Sequence, residues 1–404
     1  MTPGSVSTVY PVPEGWRLCV ANDIKLPEPH SCVAGPFGSK ISAKYFVDEG
    51  VPVIRGSNLR DDLTRFVPER FVFVSEARAQ EYRPQHVHGG DLVFTCWGTI
   101  GQVGLVPEDG PHPEYIISNK QLKLRVDRSV ADPLFCFYYF ASPRYAEHIR
   151  SRGIGGAVPG INLGILKSLA IALPSIAVQR RIVAILSAYD DLIENNRRRM
   201  TLLEEAARQI YREWFVRLRF PGHEHTRIAS GVPEGWERIP LGSGMTLQRG
   251  FDLPVQDRKD GDVPIYGSTG VVGVHDTARV SGPGVVTGRS GSLGEVHFVP
   301  VDYWPLNTSL WVKEFKRATP LFALFLLREL DLKQYNGGAS VPTLDRKAVH
   351  RVPILVPPPR LVSSFEESAT PLFSQISTLR LLSAKLRAAR DLLLPRLMSG
   401  EIAV

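Results

Sequence analysis

Six segments from the first half of this 404-residue chain recur in the second half, in the same order. VPEGW stands at 12–16 and again at 232–236. VPVIRGS (51–57) is answered by VPIYGS (263–268), and GDLVFTCWGTIGQVGLVP (90–107) by GPGVVTGRSGSLGEVHFVP (282–300). IISNKQLKLRVD (116–127) is answered by WPLNTSLWVKEF (304–315), and DPLFCFYYF (132–140) by TPLFALFLL (319–327). VPGINLGILKSLAIALP (158–174) is answered by VPTLDRKAVHRVPILVP (341–357). Chance does not preserve such an order, so the chain is an internal duplication. The offset is 220 positions at VPEGW and 183 at Val158 and Val341, so the first copy carries 37 extra residues in its early part. A shared frame with divergent loops is what a scaffold for different binding surfaces looks like.

Each copy ends in a long helix by pattern. Residues 179–215 contain neither proline nor glycine. Ile182, Leu186, Tyr189, Ile193, Met200, Leu203, Ala207, Ile210 and Trp214 follow steps of four and three, with Asn196 in the one polar slot. That is a heptad seam over about five heptads. At ~1.5 Å per residue, 36 residues make a rod of roughly 54 Å. The same register runs through Phe365, Ala369, Leu372, Ile376, Leu379, Ser383, Leu386, Arg390, Leu393 and Leu397. This second seam is weakened by Ser383 and Arg390, although Leu382 and Ala389 lie beside them. Pro371 should kink it in its second or third turn. Two single-stripe helices are expected to pack on each other. If they run antiparallel, the globules sit at opposite ends, Asn196 meets Leu379 and Ser383, and the molecule has a pseudo-twofold axis.

The rest of each copy reads as mixed α+β. DLVFT, QVGLV and LKLRV are short strands bounded by Gly, Asp or Pro. WGTIG and RSGSLG are turns that need glycine, and DPLFCFYYFASPRYAEHI and TPLFALFLLRELDLKQY are helices opened by proline. The net charge of +7, with pI near 9.2, favours an acidic partner. No run is apolar and long enough to cross a bilayer, and no signal peptide opens the chain, so a cytoplasmic location is expected. Four cysteines without CxxC spacing read as reduced thiols. Two similar heads held a fixed distance apart match duplex DNA read at two half-sites, which lie ~34–36 Å apart per helical turn.

These residues resemble the specificity subunit of type I restriction–modification systems. The resemblance rests on PEGW opening each half, on GPFGSK (35–40) with VPVIRGSNL, and on DLVFTCWGTIG. GGAVPGINLGILKSLAIALPSIAVQRRIVAIL running into LLEEAARQIYREWF, and the ending LLLPRLMSGEI, strengthen it. It implies an α+β fold with two similar target-recognition domains separated by two long antiparallel coiled-coil helices. The expected boundaries are 1–178 and 217–357 for the domains, and 179–216 and 358–404 for the helices. It implies that each domain reads one half of a bipartite double-stranded DNA site. The helices would set the spacer and dock two methyltransferase subunits, with restriction subunits joining them. S-adenosylmethionine and ATP with magnesium would belong to those partners, and this chain would carry no cofactor and no chemistry. One departure is GGASVPTLD in the second copy, one residue longer before Val-Pro than GGAVPGIN in the first.

No catalytic set is identifiable. GPFGSK lacks the spacing of a phosphate loop. His86 and His88 have no further metal-ligand pattern, and no metal site is expected. Asp190–Asp191 and Glu204–Glu205 read as solvated helix charges or partner contacts. Candidate DNA contacts are the polar residues beside glycine turns. In the first copy these are Lys40, Arg55, Ser57, Asn58, Thr99 and Lys120; in the second, Arg249, Tyr266, Ser268, Arg289 and Asn307. The turns at Gly155–Gly156 and Gly337–Gly338 are further candidates. Two other readings stay open at this level: a coiled-coil adaptor that reads no DNA, and a stand-alone DNA-modifying enzyme.

Overall fold

A computed structural model describes residues 8–38, 40–155, 158–338 and 340–404. Strands and helices mix throughout, and the chain divides into two compact units. The first is Met1–Ile193 with Lys385–Val404, and the second is Glu194–Ala384. Both divisions fall inside long helices. The first long helix is Ile176–Tyr211, closed by one π-helical stretch at Arg212–Val216; the second is Pro359–Met398. Each unit therefore contains part of each helix, half of the first and unequal shares of the second.

The first unit has a four-stranded antiparallel sheet in the order Cys32–Ala34, Gln121–Leu124, Leu92–Thr95, Val103–Leu105. Beside it Val51–Ile54 runs parallel to Tyr115–Ile117, and Arg17–Val20 pairs with Ala170–Leu173. The second unit has the same three arrangements. Its sheet runs Met245–Arg249, Ser309–Phe315, Gly284–Gly288, Val296–Val299, all antiparallel. Val263–Gly267 runs parallel to Trp304–Pro305, and Glu237–Pro240 pairs with Pro353–Val356. Extra chain in the first copy appears as strands Phe46–Val47, Val72–Val74 and His86–Val87, which widen the parallel pair into five strands. The two VPEGW segments form the same turn. Trp16 N–H donates to Pro13 and Trp236 N–H to Pro233, and Gly15 and Gly235 take φ of 79° and 83°. That is the position a type II turn reserves for glycine.

The core of the first unit is built on Pro133–Ala141, where Phe135, Phe137, Tyr138, Tyr139 and Phe140 are all fully buried. A helix that is apolar all round has to be buried on every side. Asp132 starts it by accepting from the Leu134 and Phe135 N–H groups. The sequence reads as one helix through Ile149, but the structure breaks it at Ser142. Pro143 has no N–H to continue the ladder and instead opens a second helix, Pro143–Ser151. In the second copy Pro320–Glu329 is the counterpart, and the chain beyond it turns into a 3-10 segment at Leu332–Tyr335.

Ile182 and Leu186 pack in the first unit's core with Leu394, Leu397 and Met398. Ala207 and Tyr211 pack in the second unit's core with Phe365, Ala369, Phe373 and Ile376. Within each unit the two helix segments run antiparallel. Met200, Leu203, Ile210 and Leu372 are half-buried against the second core, and Leu393 against the first. Tyr189, Ile193 and Leu386 are half-buried outside both clusters. At Tyr211, Phe373 and Leu394 the buried position is one residue beyond the heptad slot. A straight helix of 3.6 residues per turn drifts from a 3.5-residue repeat in this direction. The second helix is continuous through Pro371, which lies on an exposed position where water can take up the freed carbonyl.

Polar residues on the seams find partners. Asn196 Nδ2 donates to Ser383 Oγ at 3.3 Å, and that hydroxyl donates to the Leu379 carbonyl at 2.8 Å. Arg390, with a side chain 5% exposed, donates to Asp190 at 2.6 Å and to the Asp62 carbonyl at 3.2 Å. Asp190 also accepts from the Tyr138 hydroxyl at 2.5 Å and lies 3.4 Å from Arg65. Asp190 is thus not a solvated helix charge. It is the centre of a nearly buried network that joins both helices to the loop at 62–65. Glu204 is paired with Arg328 at 2.5 Å, and Glu205 with Arg208 at 2.7 Å.

Asp190→Ala would leave Arg390 with only the half-exposed Asp391 carboxylate at 2.9 Å and the Asp62 carbonyl, and would remove the partner of the Tyr138 hydroxyl, an expected cost of about 2–3 kcal/mol. Amide exchange across Tyr138–Ala141 and Leu386–Leu394 should report it, and Asp190→Leu with Arg390→Met should recover most of the loss. Asn196→Leu with Ser383→Ala should keep or raise stability, because both polar groups leave the seam together. A loss above about 1 kcal/mol in urea unfolding would mean that the pair contributes more than the apolar contact replacing it.

Candidate nucleic-acid interface

Loop tips gather at one end of the four-stranded sheet in each unit. In the first unit the loop at 96–101 joins two sheet strands, and Gly98 and Gly101 take φ of 84° and 95°. The matching loop of the second unit repeats this at Gly291 and Gly294, with φ of 87° and 92°. Each loop is held by an antiparallel bridge to the Val-Pro segment of its own copy, Trp97 to Gly160 and Ser290 to Thr343. Asn162 and Asp345 then cap the following short helices. Two loops of different sequence are thus held by the same frame.

Around the first loop, Cys96 N–H donates to Lys120 at 2.8 Å, and Ser118 N–H to Ile54 at 3.1 Å. Asn119 Nδ2 donates to Gly38 at 2.9 Å. Gly35 must be glycine, because a Cβ there would lie 1.8 Å from the Ser118 carbonyl. Its N–H is spent on the Gln121 carbonyl, so Gly35 follows a strand end packed on a turn. A side chain at Gly56 would meet Thr99 Oγ1 at 3.8 Å. These contacts bring Arg55, Ser57, Thr99 and Lys120 to one place. Ser57, Thr99 and Lys120 are exposed, whereas Arg55 is half-buried and donates to the Arg70 carbonyl at 3.3 Å. Lys40 is exposed two positions beyond Gly38, its carbonyl taken by Arg78 at 2.7 Å.

Asn58 has a different role. It is fully buried, donates to the Val67 and Glu69 carbonyls at 3.0 and 2.9 Å, and accepts from Arg55 N–H at 3.0 Å. Both amide protons are spent and the side chain is out of reach of a base, so Asn58 fastens the loop. Sequence could not separate it from Ser57, since both follow the same glycine.

In the second unit Arg249 donates to both carboxylate oxygens of Asp252, at 3.1 and 3.3 Å. Asn307 Nδ2 donates to the same carboxylate, and Arg289 Nη1 donates to the Asn307 carbonyl at 3.1 Å. Ser268 lies in the neighbouring turn, near Gly288. Four of the five candidates are therefore assembled. Tyr266 is the exception. Its ring is buried with Val286, Val299, Tyr303 and Trp311, and burial pushes its hydroxyl pKa up. A large aromatic on a strand beside a turn is core here, because its strand position points inward. Gly155 and Gly337 lie in the loops before the Val-Pro segments; Gly156 falls outside the described residues.

Sequence reasoning passed over Trp97. Its indole lies flat on Gly160, where a Cβ would sit 2.6 Å from the ring, and it remains 47% exposed. An exposed aromatic among polar loop tips offers a stacking face to a base. Asp252, which orients Arg249 and Asn307, was also passed over; an acid three residues after Arg249 was the available signal. Among the described residues the tips offer donors, acceptors and exposed aromatic faces at Trp97 and Phe37, but no built nucleophile. Cys96 beneath the loop is buried, which pushes its thiol up to about 11. Both His86 ring nitrogens face acceptors, Glu114 at 2.9 Å and the Ala79 carbonyl at 2.8 Å, so neither is turned toward a metal.

Residues 38–205 match the family described as the type I restriction modification DNA specificity domain. The whole chain is similar to the type I restriction enzyme MjaIX specificity subunit of Methanocaldococcus jannaschii. The two are 22% identical over 421 residues, covering 97% of this chain and 95% of the relative. The HindI specificity subunit of Haemophilus influenzae is 19% identical over 73% of this chain and 83% of its own length. Among solved structures, the crystal structure of a type I restriction–modification S subunit from M. genitalium has a similar fold. Its TM-score is 0.56 at 15% identity, over 97% of this chain and 98% of that one.

Asn58→Ala would leave two carbonyls and one N–H unmet, with an expected stability loss of about 2 kcal/mol or more. Lys120→Gln should change stability by less than about 0.5 kcal/mol. Urea unfolding of the two variants checks this, and equal stability would mean that Asn58 is a free surface group after all.

Proposed function

We propose that this chain, a member of the type I restriction–modification specificity subunits, reads a two-part DNA target, one part with the loop tips of each unit. The observation that carries this reading is the repeated frame. The same strand order, glycine geometry and bridge to a Val-Pro segment present two sets of tips with different side chains. Identical frames with different tips suit two half-sites of different sequence. Lys40 and Lys120 suit phosphates, which position a protein on the duplex. Ser57, Thr99 and Trp97 in one unit, and Arg249, Ser268, Arg289 and Asn307 in the other, suit base edges and faces.

The long helices set the separation between the half-sites and dock two methyltransferase subunits, with restriction subunits joining the complex. Supporting this are their lengths of 36 and 40 residues and the exposed Leu192, Leu202, Leu381 and Leu392 along them. The chain itself carries out no chemistry. S-adenosylmethionine and ATP with magnesium act on the partner subunits. No helix among the described residues is long and apolar enough to cross a membrane.

Exchanging residues 12–173 for the matching region of a relative should change one half of the methylated target and leave the other. Methylation mapping with the assembled complex reads this directly. A change in both halves, or in neither, would overturn the two-reader model. Duplex affinity should also fall with salt, at a log–log slope of about −0.9 per phosphate contacted.

A further inference from the structure

The first unit holds a second concentration of positive charge away from its loop tips. Lys120 and Gly35 adjoin one end of the strand pair Gln121–Leu124 and Cys32–Ala34; Arg125 and His30 adjoin the other. At that other end a pocket of about 370 Å³ is lined by His30, Arg83, His86, His88, Lys123 and Arg125. Two of these six are matched. Arg125 holds Asp91 through two bonds of 2.7 and 2.6 Å, and His86 faces Glu114. Among the described residues the other four have no carboxylate within ion-pair distance.

Lys123 is the informative member. It is 2% exposed, and its ammonium donates to the Pro84 and His86 carbonyls, both at 2.8 Å. An ammonium has three protons, so one donor is left over. Burial pushes its pKa down to about 8. Its direct partners are neutral carbonyls, and the nearby Asp91 carboxylate, spent on Arg125, acts on it only at longer range, an expensive arrangement that an anion in the pocket would complete. Arg83 is exposed beside it and donates Nε to the Gln80 side-chain carbonyl at 2.6 Å, so its charge also has a neutral partner. His30 and His88 are exposed at the same pocket. A compact ammonium and a forked guanidinium on one cavity suit a tetrahedral oxyanion with several acceptor oxygens.

We propose that this pocket binds a phosphate oxyanion, with Lys123 and Arg83 as its direct donors. The same chemistry is offered by a backbone phosphate of the duplex and by a free phosphate or phosphorylated small molecule. The phosphate chemistry stands without the DNA reading; only a backbone source rests on it.

The test is calorimetric titration of the full chain with inorganic phosphate, against chloride at matched ionic strength. Saturable phosphate binding is expected, weakened at least about tenfold by Arg83→Gln and by Lys123→Met, since each removes a charged donor. Arg83 is exposed, so its variant keeps the fold even where Lys123→Met does not. No saturable binding, or binding unchanged in Arg83→Gln, overturns the proposal. A second arm identifies the source. If a duplex phosphate occupies the pocket, phosphate competes with duplex beyond chloride, and Arg83→Gln flattens the salt slope by about one contact. If the ligand is a free phosphate, saturating phosphate leaves duplex affinity where chloride leaves it. A chain that binds phosphate but no duplex would sink the DNA reading and leave this site standing.

Discussion

A long helix with one apolar stripe cannot leave that stripe in water, and this chain has two of them. Their packing is what the rest of the structure depends on. Each helix gives one end to the core of each unit, so neither unit has a complete core without chain from both copies. Ile182 and Leu186 need Leu394 and Leu397; Tyr211 needs Phe365 and Phe373. The helices are therefore part of the globular cores as well as connectors between them.

Where the stripes are interrupted, the two units use different chemistry. In the second, Asn196 and Ser383 form one neutral hydrogen bond inside an otherwise apolar seam. A buried amide that can be met at one position favours one register over its neighbours. In the first, Arg390 and Asp190 replace apolar contact with a charge pair extended to Tyr138 and Arg65. That network reaches off the helices into the loop after Leu59. The corresponding aromatic contacts of the second unit, Tyr211 with Phe325 and Phe365, achieve attachment without charge. The duplication kept the geometry and let the chemistry of attachment diverge.

The loop tips follow the same logic. Main-chain hydrogen bonds and glycine conformations fix where a tip sits, and side chains fix what it offers. Gly98, Gly101, Gly291 and Gly294 repeat between copies, while Trp97 stands where the other copy has Ser290. A scaffold of this kind can change what it reads by substitution at exposed positions, with little cost to the core beneath.

Much of this was legible in the sequence. The ordered repeat announced two similar α+β units, and the step pattern announced both long helices, because periodicity and order survive without coordinates. The pattern even marked Asn196 against Ser383, since an antiparallel pair of equal stripes brings centre to centre. What the sequence could not decide was which polar and aromatic side chains point inward. Asn58, Tyr266 and Asp190 stand beside Ser57, Ser268 and Asp191 in the same short stretches, each with a polar group to offer. Only the tertiary structure closes a loop over Asn58, a second sheet face over Tyr266, and Arg390 onto Asp190. The same holds for the basic pocket, whose six residues come from three distant stretches of chain. Local pattern sets which elements form. Burial and partnership depend on what the rest of the chain brings within a few ångströms, and that is fixed only when the strands and helices pack.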